Sequence, residues 1–275
     1  MARVKREEQE SQEFRINTST INFCAVGITP LIMNTYTAKA SHELLLPKKK
    51  MGLAEREQTL KHNPPEEFRN SAYKWSDSGQ HKDEPTRLYM PAPAFKGAMR
   101  NAALRFPGSS KTEIGQLTWV NGYGANVWGV PQLRMDMVRS AGMNRTPDVR
   151  TRACLADWAV QFTVNFVQPN IQAHQVTNLM ASAGLLMGVG DWRQEKGSSN
   201  FGQFRVCDKD DSEFKSIVAH CGKKVQDAAL REPSMFDEFT EELYEWWKEE
   251  SGKRFGNNGA EQNGKPKRGR KAVAA

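Results

Sequence analysis

The sequence predicts an α+β fold in which the core elements follow the order β-α-β-β-α-β. Three observations predict this order: a strictly alternating strand at 158–166, a helix-periodic segment on either side of it, and segments rich in β-branched and aromatic residues at both ends of the core. With 275 residues and 38% hydrophobic content, the chain can supply a hydrophobic core.

The first strand is predicted within 14–23 (FRINTSTINF) and continues towards the TPL segment at 29–31. Residues 37–90 then form a long insertion, because they contain prolines and charged runs and show no sustained periodicity. The first helix follows PAP at 91–93, where apolar residues recur at helical spacing until Pro107 and Gly108 end the pattern after Phe106.

Three further segments predict the second half of the core. Weaker strands fall within 116–138, and the strand at 158–166 places Trp, Val, Phe, Val and Phe on one face. A helix then spans 176–187 and ends at Gly188. A glycine-rich loop follows, and the last strand lies in 201–207 (FGQFRVC).

This order is the ferredoxin-like arrangement, which RNA-recognition modules (RRM) also use. The predicted organisation is a flexible N-terminus at 1–13, a single domain at 14–250 and a disordered basic tail at 251–275. Within the domain, 208–250 is an acidic helical part that ends in an added C-terminal helix from about residue 233.

Charge is distributed unevenly along the chain. Residues 1–207 carry 26 basic and 18 acidic residues, a net +8, whereas 208–250 carry 6 basic and 13 acidic residues, a net −7. A polyanion is a natural partner for the first two-thirds. A lopsided solvated surface explains the charge equally well. No apolar run is long enough to cross a membrane, and the charged N-terminus lacks a secretory signal, so a soluble intracellular protein is expected.

Two segments hold residue types suited to nucleic acids. Five arginines lie within 134–152, where only Asp136 and Asp148 are available to pair them, and the planar guanidinium suits phosphate. The loop at 188–202 (GVGDWRQEKGSSNFG) combines glycines, which permit close backbone approach, with a tryptophan for stacking. It follows a helix and precedes a strand, which excludes a nucleoside-triphosphate loop. A long structural turn is the alternative for this segment.

No arrangement of residues predicts catalysis. The five histidines lack metal-ligand spacing, the four cysteines form no C-x-x-C pair, and no G-x-S-x-G segment occurs. No metal and no cofactor are therefore expected. Asp191 in the glycine-rich loop is a weak catalytic candidate, and the sequence favours a protein that is not an enzyme.

Three segments together resemble the repeat-associated mysterious protein (RAMP) superfamily, best known from backbone subunits of CRISPR effector complexes. They are the first strand with TPL at 29–31, the helix start PAPAFKGAMR at 91–100, and the glycine-rich loop that runs into 204–206. The loop and the arginine-rich stretch also resemble a group of phage and prophage proteins, which implies the cytoplasm of a bacterial host cell.

The resemblance implies that Lys96 and Arg100 approach the backbone of a bound RNA, and that the glycine-rich loop takes part in binding. It also implies that 37–90 corresponds to the thumb-like insertion that backbone subunits place over a guide. With the arginine-rich stretch, the candidate nucleic-acid-binding residues are Lys96, Arg100, Arg134, Arg139, Arg145, Arg150, Arg152, Gly188, Gly190, Trp192, Arg193, Lys196, Gly202 and Arg205.

The sequence therefore predicts a sequence-independent protein that binds single-stranded RNA or DNA, with Trp192, Tyr123 and Phe201 as stacking residues. Assembly into a homo-oligomer along the strand, or with other subunits of a nucleoprotein complex, is expected, and no membrane partner. Two alternatives stay open. One is a RAMP-type endoribonuclease in which Asp191 or another loop acid acts, and the other is a phage protein that uses the fold as a protein-interaction module.

Overall fold

A computed structural model describes residues 16–35, 62–139, 147–196 and 199–255 of the chain. The predictions for the N-terminus, for the first part of the insertion and for the tail beyond residue 255 lie outside these residues. Within them, seven strands and seven helices form an α+β fold.

The strands are β1 (Asn17–Gly27), β2 (Leu31–Met33), β3 (Leu88–Pro91), β4 (Thr118–Val120), β5 (Gly124–Arg139), β6 (Pro147–Gln168) and β7 (Phe204–Cys207). The helices are α1 (Pro64–Ser71), α2 (Ala92–Ala102), α3 (Lys111–Leu117), α4 (Ala173–Leu186), α5 (Ser212–His220), α6 (Lys223–Arg231) and α7 (Glu238–Phe255).

The strands form one antiparallel sheet along the path β3-β5-β6-β1-β7, and β2 and β4 also pair with β6. In the sequence, α2 lies between β1 and β5, and α4 lies between β6 and β7. The four strands β7-β1-β6-β5 and these two helices are the ferredoxin-like arrangement. The predicted fold class and order of core elements are therefore confirmed.

Helices α2 and α4 cover one face of the sheet and form the main core with it. Phe95 of α2 stacks on Phe162 of β6 with ring centroids 4.3 Å apart, and it meets Phe204 of β7 edge-on at 6.0 Å. Trp158 of β6 is fully buried, and its Nε1 donates to the Thr29 carbonyl oxygen at 2.9 Å. These contacts hold α2 across the sheet and place its start beside the loop that follows α4.

The C-terminal helices cover part of the opposite face. Phe214 and Ile217 of α5 pack against Val26 and Trp128. Gln226 of α6 is fully buried, and its amide accepts from the backbone at the start of β3 and donates to the backbone of β5. Helix α6 therefore satisfies polar backbone groups where β3 meets β5.

The acidic part contains two short helices before the C-terminal helix. The sequence predicts a helical part at 208–250 without bounds for α5 and α6, and each of these helices buries two residues. Helix α7 begins at Glu238 and continues to Phe255, later at both ends than predicted. Helix α2 ends at Ala102 and passes into a 3₁₀ turn at Ala103–Arg105, just before the predicted end at Phe106.

Among the described residues, none of the helices has both the length and the apolar character that a membrane span requires. All four cysteines are free thiols. Burial raises the pKa of the Cys154 thiol to about 12, so this thiol stays protonated.

Candidate nucleic-acid interface

A cleft of about 320 Å³ opens between α2 and the glycine-rich loop. Two of the segments that carry the RAMP resemblance, the helix start at 91–100 and the loop at 188–202, therefore form opposite walls of one cavity. The lining residues are Asn34, Tyr73, Met90, Pro91, Pro93, Ala94, Gly97, Ala98, Asn101, Val189, Gly190, Asp191 and Arg193.

Three glycines determine the backbone conformation of the loop wall. Gly188, Gly190 and Gly202 have φ angles of +68°, +85° and +72°, which residues with a side chain rarely adopt. A Cβ on Gly202 would overlap the carbonyl oxygen of Val189, so the two loop strands can approach each other only because this residue is glycine. The loop is a compact structure that packs on the end of β2.

A buried ion pair attaches the loop to the sheet. Asp191 Oδ2 accepts from Arg152 Nη1 at 2.6 Å and from Asn34 Nδ2 at 2.9 Å, and its Oδ1 accepts from the backbone nitrogen of Trp192 at 3.0 Å. Arg152 is only 4% exposed, and its Nη2 donates to Asp136 Oδ2 at 3.1 Å. One buried guanidinium thus joins the loop to the β5–β6 hairpin.

A second polar contact ties the loop to α2. Arg193 Nε donates to Glu195 Oε2 at 2.7 Å, and Arg193 Nη1 donates to the Gly190 carbonyl oxygen at 3.1 Å. The side-chain nitrogen of Asn101 on α2 donates to the same glutamate. The two walls are therefore linked at one end of the cleft.

Two of the predicted phosphate-binding arginines have their guanidinium groups inside the domain. The Arg152 guanidinium lies over the Trp192 ring at 4.3 Å, and that of Arg134 lies between the rings of Phe201 and Phe236 at 4.8 and 4.7 Å. Arg134 Nε also donates to Asp136 at 3.0 Å. Both arginines differ from the expected surface position because aromatic rings that are distant in sequence cover their guanidinium groups.

Other predicted residues are at the surface. Arg139 and Arg150 are exposed on the hairpin, where Arg150 Nη2 lies 3.5 Å from Asp148 Oδ2. Arg145 lies outside the described residues, and Lys196 is exposed at the end of the 3₁₀ turn in the loop.

Arg205 lies away from the cleft. It pairs in the sheet with Val26, whose side chain packs under α5 on the opposite face. Its guanidinium binds Asp211 at 2.8 Å and Glu213 at 2.6 Å. Arg205 and the backbone nitrogens at the start of α5 lower the pKa of the Asp211 carboxyl to about 2. This geometry gives Arg205 a role in fixing α5.

Lys96 and Arg100 occupy the face of α2 next to the cleft-lining face. The Arg100 side chain packs on α3, where a Cβ on Gly115 would lie 2.7 Å from its Nε. That Nε is buried and finds no hydrogen-bond partner among the described residues. Lys96 is half-buried, four residues earlier on the same face.

An aromatic cluster borders the cleft beside the start of α2. Tyr73 lines the cleft, its ring lies 5.7 Å from that of Tyr89, and Tyr89 stacks on Trp75 at 4.1 Å. Tyr123 completes the cluster, 5.5 Å from Tyr89. Burial raises the pKa of the Tyr89 hydroxyl, so this residue stays neutral. The cluster ends at the Tyr123 ring, which is 68% exposed.

Sequence reasoning missed three polar residues of the cleft: Asn34, Tyr73 and Asn101. Asn34 and Tyr73 carry no local signal, because they reach the cleft only through pairing of β2 and folding of the insertion. Asn101 lies four residues after Gly97 and eight after Pro93, so the small-residue face of the predicted helix points to it. In the described part of the chain, no three potential ligands come together to hold a metal ion.

Comparisons with known proteins give likeness at the level of structure alone. No protein-family model matches the chain, and no curated protein matches it. Among solved structures, the chain is similar to Cmr6 from Pyrococcus furiosus, with 9% sequence identity, a TM-score of 0.34, and coverage of 70% of this chain and 99% of that one. At this level of similarity, the function has to be inferred from the geometry of the chain itself.

Proposed function

We propose that the protein binds single-stranded nucleic acid along the cleft between α2 and the glycine-rich loop, as the RAMP resemblance implies. The exposed ring of Tyr123 beside the cleft carries this proposal. The backbone carbonyl oxygen of Tyr123 accepts a hydrogen bond from the Ala92 nitrogen at the start of α2, at 3.0 Å. The rings of Tyr89 and Trp75 lie behind the Tyr123 ring. A fixed and exposed aromatic ring is what base stacking requires.

Basic residues around the cleft supply attraction for phosphates. Lys196 is exposed at the loop, and Lys96 lies on the adjoining face of α2. Arg139 is exposed at the end of β5 and would contact the strand beyond the cleft. Such contacts favour any polyanion and carry no sequence information, in keeping with the net +8 of residues 1–207.

Fluorescence anisotropy with labelled single-stranded RNA, single-stranded DNA and duplex DNA across a salt series tests this proposal. We expect salt-dependent binding that is tightest for one of the single strands. Tyr123→Ala should weaken it by about 5- to 150-fold, since stacking of one base contributes about 1–3 kcal/mol. Tyr123→Phe should retain binding, because the ring remains.

Leu104→Ala is the matched control, because Leu104 is an exposed apolar residue, 63% accessible, just beyond the far end of α2. Replacement of Lys265, Lys267 and Lys271 by Gln separates the folded domain from the basic tail. Equal binding by Tyr123→Ala and the wild type, or loss of binding only in the tail variant, contradicts the proposal.

We also propose that copies of the chain assemble side by side through α7. Its exposed residues Phe239, Glu242, Trp246 and Glu249 share one face, and the two aromatic side chains are 45% and 60% exposed. The net −7 of 208–250 matches the net +8 of 1–207, which makes a second copy the complementary partner.

Cooperative binding to long oligonucleotides tests this assembly. The double variant Glu242→Lys, Glu249→Lys should lose cooperativity and still bind an oligonucleotide that accommodates one copy. Unchanged cooperativity in the double variant would rule out assembly through α7.

A further inference from the structure

The cleft has the size of one small planar ligand. Its volume of about 320 Å³ lies at the lower end of the range of about 300–1,000 Å³ found for small-molecule pockets. Small side chains, Pro93, Ala94, Gly97 and Ala98, form the α2 wall. A Cβ on Gly97 would have no atom within 4 Å, so this wall leaves open space.

Hydrogen-bond acceptors face the cleft from both walls. Asp191 lines the cleft, and among the described residues its Oδ1 accepts one hydrogen bond, from the Trp192 nitrogen, which leaves it a lone pair for a further donor. The side-chain nitrogens of Asn34 and Asn101 each donate to a carboxylate. This engagement orients both amides and leaves their oxygens as acceptors.

These charges exclude a phosphate as the group inside the cleft. Asp191 lines it, and Glu195 binds two further lining residues, Arg193 and Asn101, so the single guanidinium of the lining is already paired with a carboxylate. A like charge placed there would be repelled. A neutral ring that offers N–H donors matches the lining better.

We propose that the cleft binds one unstacked base of the bound strand and recognises its exocyclic amino group. The flat ring lies against the small residues of α2, and the amino group donates to Asp191 Oδ1. Cytosine, adenine and guanine carry such a group, whereas uracil has an acceptor oxygen at the position that cytosine's amino group occupies. This inference rests on the proposed function and adds a preference for amino-bearing bases at one position of an otherwise sequence-independent strand.

Cytosine and uracil provide the sharpest probe, because they differ in this group and share one ring size. Anisotropy is measured with 12-nucleotide oligo(C) and oligo(U), using the sugar that the wild type binds more tightly. We expect the wild-type protein to bind oligo(C) roughly tenfold more tightly than oligo(U). Gly97→Leu should fill the cleft and lower the affinity for oligo(C) to that for oligo(U), with affinity for oligo(U) unchanged within about twofold.

Gly252→Leu is the matched control, since Gly252 lies in α7 and a Cβ there also has no atom within 4 Å. Ala94→Leu fills the same cleft from a neighbouring position and replaces Gly97→Leu if that variant does not fold. Equal affinity of the wild type for the two oligonucleotides, or a preference that survives in both filled variants, overturns the base pocket. If the base pocket is overturned but binding still depends on Tyr123, the proposed function stands. If neither oligonucleotide binds, the base pocket and the proposed function are both overturned.

Discussion

The two walls of the cleft are built in opposite ways. In the loop wall, Asp191 is bound to the buried Arg152, and a Cβ on Gly202 would overlap a backbone oxygen. In the α2 wall, by contrast, Gly97 has open space where a side chain would be. The comparison teaches that a buried ion pair and a crowded backbone fix the polar groups of the cleft, whereas missing side-chain volume on α2 sets its size.

The largest expected effect is loss of the buried ion pair under the loop wall. Arg152→Met should lower the free energy of unfolding by about 3–5 kcal/mol, because Asp136, only 8% exposed, and Asp191 would lose their shared cation. Urea unfolding followed by tryptophan fluorescence measures the change. Arg150→Met is the control, with a 59% exposed side chain and an expected change within about 0.5 kcal/mol. Equal effects of the two substitutions on the free energy of unfolding would show that the ion pair does not stabilise the loop.

Crowding of the loop backbone should have the next largest effect. Gly202→Ala is expected to cost about 2–4 kcal/mol, since it adds an overlap with Val189 to the strain of a residue at positive φ. Gly79→Ala isolates the strain, because Gly79 has a φ of +77° and nothing within 4 Å of its Cβ. The difference in unfolding free energy between the two variants measures the crowding, and a difference near zero would mean that the loop can relax.

The sequence could predict the α2 wall but only part of the loop wall. The 3.6-residue period through Phe95 and Met99 defines the helix, and its small residues fall on one face by position alone. The glycines also indicate the loop. The burial of Arg152 could not be predicted, because its partners Asp136 and Asp191 lie 16 and 39 residues away and meet it only through strand register and loop packing.

The same limit applies to the acidic part and to the cluster beside the cleft. Helices α5 and α6 each bury two residues, and contacts with the sheet decide where each of them lies in the acidic part. Tyr123 lies just before β5 in a turn, and its role depends on Tyr89 and Trp75 from the insertion, which shows no periodicity. Non-local packing therefore accounts for most of what the sequence could not show.

The contact of His62 with α1 and β6, the His62 junction, should make the stability of the fold depend on pH. His62 binds Glu67 of α1 at 2.8 Å and Asp148 of β6 at 3.0 Å, and these carboxylates raise its pKa above the usual 6.5. The charged histidine stabilises the fold below about pH 6.5, and this contribution is lost as the pH rises through the raised pKa.

Between pH 6 and pH 8, the wild type should therefore lose roughly 1 kcal/mol of unfolding free energy that His62→Gln does not lose. His174→Gln, at an exposed histidine, should behave as the wild type. If the unfolding free energies of the wild type and His62→Gln change in parallel with pH, the His62 junction contributes nothing to stability. If the affinity for a single strand changes with pH in the same way as the stability that His62 provides, the junction and the cleft are coupled.

The smallest expected effect has the opposite sign and tests the open wall directly. Gly97→Ala should raise the free energy of unfolding by up to about 1 kcal/mol, because alanine in a helix loses less conformational entropy than glycine and nothing obstructs its Cβ. Gly115→Ala in α3 should give no such gain, since its Cβ would lie 2.7 Å from Arg100 Nε. If Gly97→Ala stabilises the protein, the glycine costs stability in this helix, and folding does not require the open wall of the cleft.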